Sequence, residues 1–117
     1  MKFVSFLPAV GDDAAKAIRR RVKRWRVHLW SGQTLAELAQ EINPTVRGWI
    51  NYYGRFYRTE LILTLKRINV YLVRWAMRKY KRLRARPQRA NRFLAAIAER
   101  EPGLFAHWAW GVQPKAG

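Results

Sequence analysis

The sequence predicts an all-α protein, a compact bundle of about five helices with an aromatic C-terminal tail. Two observations predict this class: apolar residues recur at helical spacing through most of the chain, and 50% of its 117 residues are hydrophobic, too many for a disordered polyelectrolyte. A short N-terminal strand is possible at 2–7. We divide the chain into an N-terminal segment at 1–12, a helical domain at 13–100 and an aromatic tail at 101–117.

The first predicted helix runs from about 13 to 29. One apolar stripe, with spacings of three and four residues, marks its inner face: Ala14, Ile18, Val22, Trp25 and Leu29. Asp12 and Asp13 suit the start of this helix, because a carboxylate there accepts hydrogen bonds from free backbone N–H groups and complements the helix dipole.

Two further helices are predicted at 34–42 and 44–58. Thr34 and Glu37 have the spacing of a capping box, in which each side chain accepts a hydrogen bond from the backbone of the other. At the boundary between the helices, Asn43 is expected to cap the second one. Pro44 then occupies its first turn, where a missing N–H costs nothing.

The helix predicted at 44–58 has an aromatic side and a basic side. We expect its core-facing aromatic residues to be Tyr53, Phe56 and Tyr57. Trp49 and Tyr52 suit either the core or stacking on unpaired nucleic-acid bases. The basic side carries Arg47, Asn51, Arg55 and Arg58.

A fourth helix is predicted at about 60–84, with Thr59 as its cap. Its first half is apolar almost all round, which predicts a central position, and its second half is strongly basic. Tyr80, surrounded by charge, suits either the core or base stacking. Pro87 ends this helix, and a fifth follows at 88–100. We expect the tail to dock on the bundle through Phe105, Trp108 and Trp110.

The net charge of +17, from 24 Lys and Arg against seven Asp and Glu, is extreme for a chain of this length. Two stretches, 14–36 and 61–98, contain no acid, so the positive potential concentrates on particular faces. Such a surface indicates a polyanionic partner. Arg outnumbers Lys by 17 to seven, which suits RNA recognition, although a composition-biased genome would give the same excess.

Residues suited to catalysis or metal binding are sparse. There is no Cys and there are two His, which excludes a structural zinc set. Asp12 and Asp13 are adjacent like paired metal-binding aspartates, but the other acids are scattered, which favours capping. We therefore predict no catalytic residue and no metal site, leave the status of the chain as an enzyme open, and expect an intracellular protein without a membrane-spanning helix.

One run of residues is distinctive: Ile42 to Tyr57, with the letters INPTVRGWINYYGRFY. It resembles the hallmark of the group II intron maturase-specific domain. Other segments fit the same family: Phe6 to Val10, the basic helix with Trp25, Arg67 to Asn69, Leu72 to Trp75, Arg78 to Lys81, and Leu104 to Trp108. The resemblance covers the chain from about Phe3 to Trp110.

The resemblance implies an α-helical thumb, or X domain, of an intron-encoded reverse transcriptase and maturase. Such a domain helps to bind intron RNA for splicing and grips the RNA–DNA template–primer in the intact enzyme. The Tyr-x-Asp-Asp metal site of the polymerase modules does not occur in this sequence, so no cofactor is expected here, and Mg²⁺ only where those modules are present. The implied partners are structured RNA, first of all group II intron RNA, template–primer and a separate reverse transcriptase chain, with no membrane.

The candidate RNA-binding residues come from two arguments. Carried over from the family motif are Arg47, Gly48, Trp49, Asn51, Tyr52, Tyr53, Lys79, Tyr80 and Lys81. The basic stripes add Arg20, Lys23, Arg24 and Arg55 as phosphate contacts. Gly48 and Gly54 each cost about 1 kcal/mol relative to Ala inside a helix. We therefore expect a close approach at Gly48, either by an RNA backbone or by a neighbouring helix.

Two other function classes stay open. The helices at 34–42 and 44–58 have the order of a helix-turn-helix, which would bind duplex DNA. The basic amphipathic first helix also suits a nonspecific polyanion or membrane-surface binder.

Overall fold

The structure is a computed structural model that describes residues 7–115, with side chains from residue 13 onward. It contains five α-helices, α1 to α5 in chain order: Leu7–Trp25, Leu35–Tyr53, Arg58–Lys79, Pro87–Arg100 and Ala106–Ala109. Two 3₁₀ turns lie at Val27–Leu29 and Lys81–Leu83. No strand occurs between residues 7 and 115, and the all-α bundle is confirmed. The strand considered at 2–7 lies outside the described residues, apart from Leu7.

Helix α1 starts earlier than predicted, at Leu7. Pro8 suits this first turn, because the backbone N–H that it lacks would have no partner there. Asp12 and Asp13 therefore follow a turn of helix that is already formed, and the prediction that they cap its start is wrong.

Helix α1 also ends earlier, at Trp25, because Arg26 adopts a left-handed conformation with a φ of 51°. The turn that follows moves Val27 into the core, where it is 1% exposed, and leaves Leu29 46% exposed. The predicted continuation of the helix to Leu29 is wrong, since the left-handed residue changes the register of those after it. Burial of Val27 offsets part of the about 1 to 2 kcal/mol that such a conformation costs.

Helix α2 is one helix where two were predicted. The capping box at its start is confirmed: Thr34 N donates to Glu37 Oε1 over 2.8 Å, and Glu37 N donates to Thr34 Oγ1 over 3.1 Å. Pro44 lies inside the helix, and Asn43 caps no helix start at this place. Pro44 leaves the Gln40 carbonyl without its usual donor, but both residues are exposed, where water can supply the hydrogen bond.

The continuity of α2 also removes the helix-turn-helix interpretation. That motif needs two helices joined by a turn, and residues 35–53 form one uninterrupted helix. The prediction of a DNA-reading helix pair at this place is therefore wrong.

Helix α3 is the central helix, as predicted, because it contacts α1, α2, α4 and both 3₁₀ turns. Its bounds differ from the prediction. It begins at Arg58, which places Thr59 inside the helix, and it ends before Tyr80, which is extended. Its first half is not buried all round, since Leu63 and Val70 are 58% and 51% exposed.

The core contains large aromatic side chains from α3 and from the tail. Trp75, Phe105 and Trp108 are fully buried, so the tail docks on the bundle as predicted. Phe56, in contrast, is 73% exposed, and its predicted core position is wrong. Helix α2 has ended at Tyr53, so the helical period that placed Phe56 on the inner face no longer applies.

Two buried asparagines fasten residues 104–112 to the bundle, and we call them, with the groups they bond, the amide latch. Asn43 Nδ2 donates to Leu104 O over 3.0 Å, and Asn43 Oδ1 accepts from Ala106 N over 2.8 Å. The residue expected to cap a helix therefore bonds a segment about sixty residues away.

Asn69 forms the second half of the latch. Its Oδ1 accepts from Trp108 Nε1 over 2.9 Å and lies 2.8 Å from His107 Nε2, and its Nδ2 donates to Val112 O over 3.3 Å. Because Asn69 Oδ1 can only accept, His107 Nε2 carries the proton. Burial lowers the pKa of His107 to about 3, so the imidazole is neutral in the folded protein.

Candidate nucleic-acid interface

A cationic groove runs along α3, and we call it the α1–α3 groove. It faces α1 in its first two segments and the turn after α1 in its third. Its first segment, of about 290 Å³, is lined by Lys16, Arg19, Arg20, Lys23, Arg67 and Tyr71. The central segment, of about 460 Å³, is lined by Arg20, Lys23, Arg24, Arg26, His28, Tyr71 and Arg74. The third, of about 590 Å³, is lined by His28, Ser31, Arg74, Met77, Arg78, Arg84 and Ala85.

Neighbouring segments share lining residues and therefore lie side by side. Arg20, Lys23 and Tyr71 line both the first and the central segment, and His28 and Arg74 line both the central and the third. None of the described residues that line the groove is acidic. Cations that face one another without an acid repel, so binding an anion would relieve the repulsion along this surface.

Helix periodicity explains how both walls form. On α1, Ile18 and Val22 are buried, which turns Arg20 and Lys23 outward. On α3, the groove residues Arg67, Tyr71, Arg74 and Arg78 recur at spacings of three and four. The structure thus places the predicted Arg20, Lys23 and Arg24 in the groove.

Sequence reasoning missed the α3 wall of the groove. The apolar residues of α3 indicated its buried faces. The groove residues also have a helical spacing in the sequence, at Arg67, Tyr71, Arg74 and Arg78. It also missed Arg26 and His28, because both follow the point where α1 unexpectedly ends. Only the left-handed turn at Arg26 brings them to the groove, and no local signal indicates it.

Two aromatic rings lie at the middle of the groove. The rings of His28 and Tyr71 stack with centroids 5.5 Å apart and planes 25° apart, and Arg74 Cζ lies 5.4 Å from the centre of the Tyr71 ring. His28 Nδ1 is buried without a hydrogen-bond partner. Burial lowers the pKa of His28, and the positive charges of Arg74, Arg78 and Arg26 lower it further.

A second polar surface lies on α2, and we call it the α2 stripe. It consists of the exposed residues Arg47, Gly48, Asn51, Tyr52 and Arg55. These residues come from the predicted set. Arg47, Gly48, Asn51 and Tyr52 share one face of α2 because they are spaced by three and four, and Arg55 follows in the turn after the helix. Nothing lies within 4 Å of the position that a Cβ would take at Gly48, so no helix of the described chain approaches it.

The other aromatic residues of the predicted set are half-buried. Trp49 stacks on Trp25 at the end of α1, with ring centroids 5.5 Å apart and planes 24° apart. Tyr53 lies edge-on to Tyr52 at 4.8 Å. Trp49 thus joins the α2 stripe to the last residue of α1.

The remaining predicted residues, at 79–81, have contacts inside the protein. Lys79 Nζ donates to Ser31 O over 2.9 Å and lies 5.6 Å from the centre of the Trp75 ring. The half-buried Tyr80 packs edge-on against Trp75 and Phe93. Lys81 is exposed. The structure therefore does not bring these three residues together with the α2 stripe in one site.

The described residues offer neither a metal cluster nor a membrane-spanning helix. No group of three or more His, Cys, Asp and Glu side chains in this part of the chain could hold a metal ion. Within residues 7–115, no helix combines the length and apolar character needed to cross a bilayer.

Comparison with known proteins identifies a family. Residues 15–94 match the family described as group II intron, maturase-specific domain, and this range contains the whole of α2 and α3 and the residues of the α1–α3 groove. No curated protein and no solved structure gives a significant match. The matched range is more than half of the 117 residues, so the chain belongs to the family of group II intron maturase-specific domains.

Proposed function

We propose that this domain binds group II intron RNA through the α1–α3 groove and thereby assists intron splicing. The observation that carries the proposal is the continuous run of basic side chains along the groove, with no acid among the described lining residues. Lys and Arg that meet phosphates displace condensed counterions, which is the main sequence-independent source of affinity for nucleic acids. Membership of the maturase family supports intron RNA as the polyanion.

The α2 stripe is the second part of the proposed interface. Arg47 and Arg55 supply charge, Asn51 can hydrogen-bond base edges, and the exposed Gly48 allows a nucleic-acid backbone to come close. In an intact reverse transcriptase the α2 stripe would contact the template–primer duplex, together with a polymerase module or a separate reverse transcriptase chain.

The experiment that tests this function compares three ligands of equal length. Binding to folded group II intron RNA is measured against an unrelated RNA and against duplex DNA, at near-physiological salt with competitor. We expect a preference for the intron RNA. With about eight phosphate contacts, the log–log dependence of affinity on salt should have a slope of roughly −6 to −7.

Two variants locate the interface. Arg20→Gln with Arg74→Gln removes charge from the α1–α3 groove, and Arg47→Gln with Arg55→Gln removes it from the α2 stripe. Both should weaken binding to intron RNA. The matched control, Arg89→Gln with Arg92→Gln, removes the same charge from exposed positions on α4 and should leave binding nearly unchanged. Binding that is insensitive to salt, or equally weakened by all three pairs, would contradict the proposal.

A further inference from the structure

We propose that the central segment of the α1–α3 groove is a site for single-stranded RNA, in which an unpaired base stacks on the Tyr71–His28 pair while surrounding Arg and Lys hold the phosphates. This inference rests on the proposed function and names the class of RNA that the groove takes. It assigns a role to two aromatic residues that phosphate binding alone does not use.

The size of the groove supports an unpaired nucleotide. The central segment has a volume of about 460 Å³, within the range typical of pockets for small organic ligands, and it is open to segments on both sides. A strand can therefore pass along the groove with one nucleotide in the middle. A duplex keeps its bases paired inside and presents phosphates and sugars, so it cannot place a base there.

The position of the rings supports stacking. Tyr71 lines the first and central segments, and His28 lines the central and third, so the pair lies at the middle of the strand's path. Their rings are stacked at 5.5 Å, and the Arg74 guanidinium lies over Tyr71 at 5.4 Å. A base would extend this stack of flat groups. A basic groove with aromatic rings along it is the usual construction of single-strand sites.

The state of His28 fits this role. Its Nδ1 is buried and unpartnered, and its pKa is lowered by burial and then by Arg74, Arg78 and Arg26. Burial and these three positive charges favour the neutral imidazole near pH 7, and Tyr71 stacks on the ring. A neutral imidazole offers a flat stacking surface, whereas Arg20, Lys23 and Arg74 supply the charge for phosphates.

The test uses the full chain and three labelled RNA probes of equal length: a single strand of mixed sequence, the same strand with abasic sites, and a hairpin. The abasic strand retains every phosphate but offers no base to stack. We expect the wild-type protein to bind the intact strand at least about five-fold more tightly than the abasic strand. The hairpin should compete poorly for the intact strand.

Substitutions at Tyr71 connect this preference to the groove. Tyr71→Leu should weaken binding of the intact strand roughly five-fold or more and leave binding of the abasic strand unchanged. Tyr71→Phe keeps the ring and should keep the preference. The control Phe56→Leu removes a ring that is 73% exposed outside the groove, and it should change neither affinity.

Equal binding of intact and abasic strands by the wild type would overturn the single-strand site, even if Tyr71→Leu did not fold. An equal loss on both strands in a folded Tyr71→Leu protein would also overturn it. In either case, salt-sensitive binding that is weakened by Arg20→Gln with Arg74→Gln would leave the proposed function standing. Binding that is indifferent to this pair would end the proposed function itself.

Discussion

The amide latch and the α1–α3 groove are both rich in polar side chains. The polar groups of the latch have partners within the chain, whereas the charges of the groove have no acidic partner among the described residues that line it. In the latch, the amides of Asn43 and Asn69 each donate and accept hydrogen bonds within the chain. In the groove, basic side chains face other basic side chains. Polar groups that find partners inside the chain stabilise the fold, and those that find none are available to a partner. Changing one region should therefore alter stability, and changing the other should alter binding.

The largest expected effect comes from Asn69→Leu in the latch. Leucine has a similar size but leaves the buried donors Trp108 Nε1 and His107 Nε2 without an acceptor. Each unsatisfied buried donor costs about 1 to 3 kcal/mol, so the free energy of unfolding should fall by roughly 2 to 6 kcal/mol. Urea unfolding followed by circular dichroism measures this change.

Asn91→Leu is the matched control for the latch. The Asn91 side chain also donates to a backbone carbonyl, that of Lys115, but this hydrogen bond is solvent-exposed. Its loss should cost about 1 kcal/mol or less. Equal effects of Asn69→Leu and Asn91→Leu would mean that the latch does not hold the tail.

Acid should weaken the latch through His107. Its pKa is about 3 in the folded protein, because burial disfavours the charged form, against about 6.5 in the unfolded chain. Between these values the unfolded state binds a proton that the folded state excludes. The contribution of His107 to stability is therefore complete above pH 6.5 and falls by about 1.4 kcal/mol per pH unit as the pH drops toward 3.

Two measurements check this linkage. The unfolding free energy of the wild type should decrease between pH 6.5 and 5, by about 2 kcal/mol from this group, and His107→Gln should flatten that part of the curve. In nuclear magnetic resonance spectra, the His107 ring signals should not titrate over this interval. A titration near pH 6.5 would show that the ring is not buried as described.

Substitution by Ala should change the stability of the protein in opposite directions at two glycines, Gly48 on α2 and Gly54 at its end. At Gly54, a Cβ would lie 2.5 Å from Ile50 O and 3.0 Å from Trp110 Cζ2, so Gly54→Ala should destabilise by about 1 to 3 kcal/mol. At Gly48 nothing lies within 4 Å, so Gly48→Ala should stabilise the helix by about 0.5 to 1 kcal/mol. Thermal unfolding of the two variants measures both changes in stability.

The Gly48 variant also tests the proposed role of the α2 stripe in RNA binding. If RNA backbone approaches Gly48, then Gly48→Ala should weaken RNA binding although it stabilises the protein. Full affinity in this variant would remove the close approach and leave the exposed glycine without a role in binding. A neutral Gly54→Ala would show that Trp110 does not pack there.

The smallest expected effect on stability comes from the groove. Arg20 lies one helical turn from both Lys16 and Arg24, and like charges at this spacing repel. Arg20→Gln should therefore stabilise the protein by a few tenths of a kcal/mol while it weakens RNA binding. A clear loss of stability in urea unfolding would mean that Arg20 has a partner within the protein. It would contradict the distinction between the latch and the groove, whose charges have no acidic partner among the described lining residues.

Helical periodicity and local capping were sufficient to predict much of this fold. Ile18, Val22 and Leu94 lie on the buried faces that their spacing indicates, and Thr34 caps as its motif predicts. Asn43 and Pro44 mark a helix boundary by local rules, yet the helix continues. The Asn43 side chain instead bonds the backbone of Leu104 and Ala106. A local sequence pattern cannot indicate partners that lie so far along the chain.

The candidate site was predictable on one side only. The acid-free stretch at 14–36 indicated Arg20, Lys23 and Arg24, which the structure places in the groove. The facing wall depends on which side of α3 turns toward α1, and tertiary packing decides that. Lys79 and Tyr80 lie in a basic run, but the end of α3 directs them to internal partners.

We propose that the position of the charges, and not their number, makes the α1–α3 groove the RNA interface. It is tested most directly by the salt dependence of RNA binding in two triple variants. One carries Arg20→Gln, Lys23→Gln and Arg74→Gln, and the other carries Arg89→Gln, Arg92→Gln and Arg100→Gln on α4. Both have three positive charges fewer than the wild type's +17.

We expect different salt slopes for these two proteins of equal charge. The groove variant should bind weakly, with a log–log slope smaller in magnitude by roughly two to three, and the α4 variant should keep the slope of the wild type. Equal slopes in the two variants would contradict the account, because they would show that RNA responds to the total charge of the protein and not to the groove.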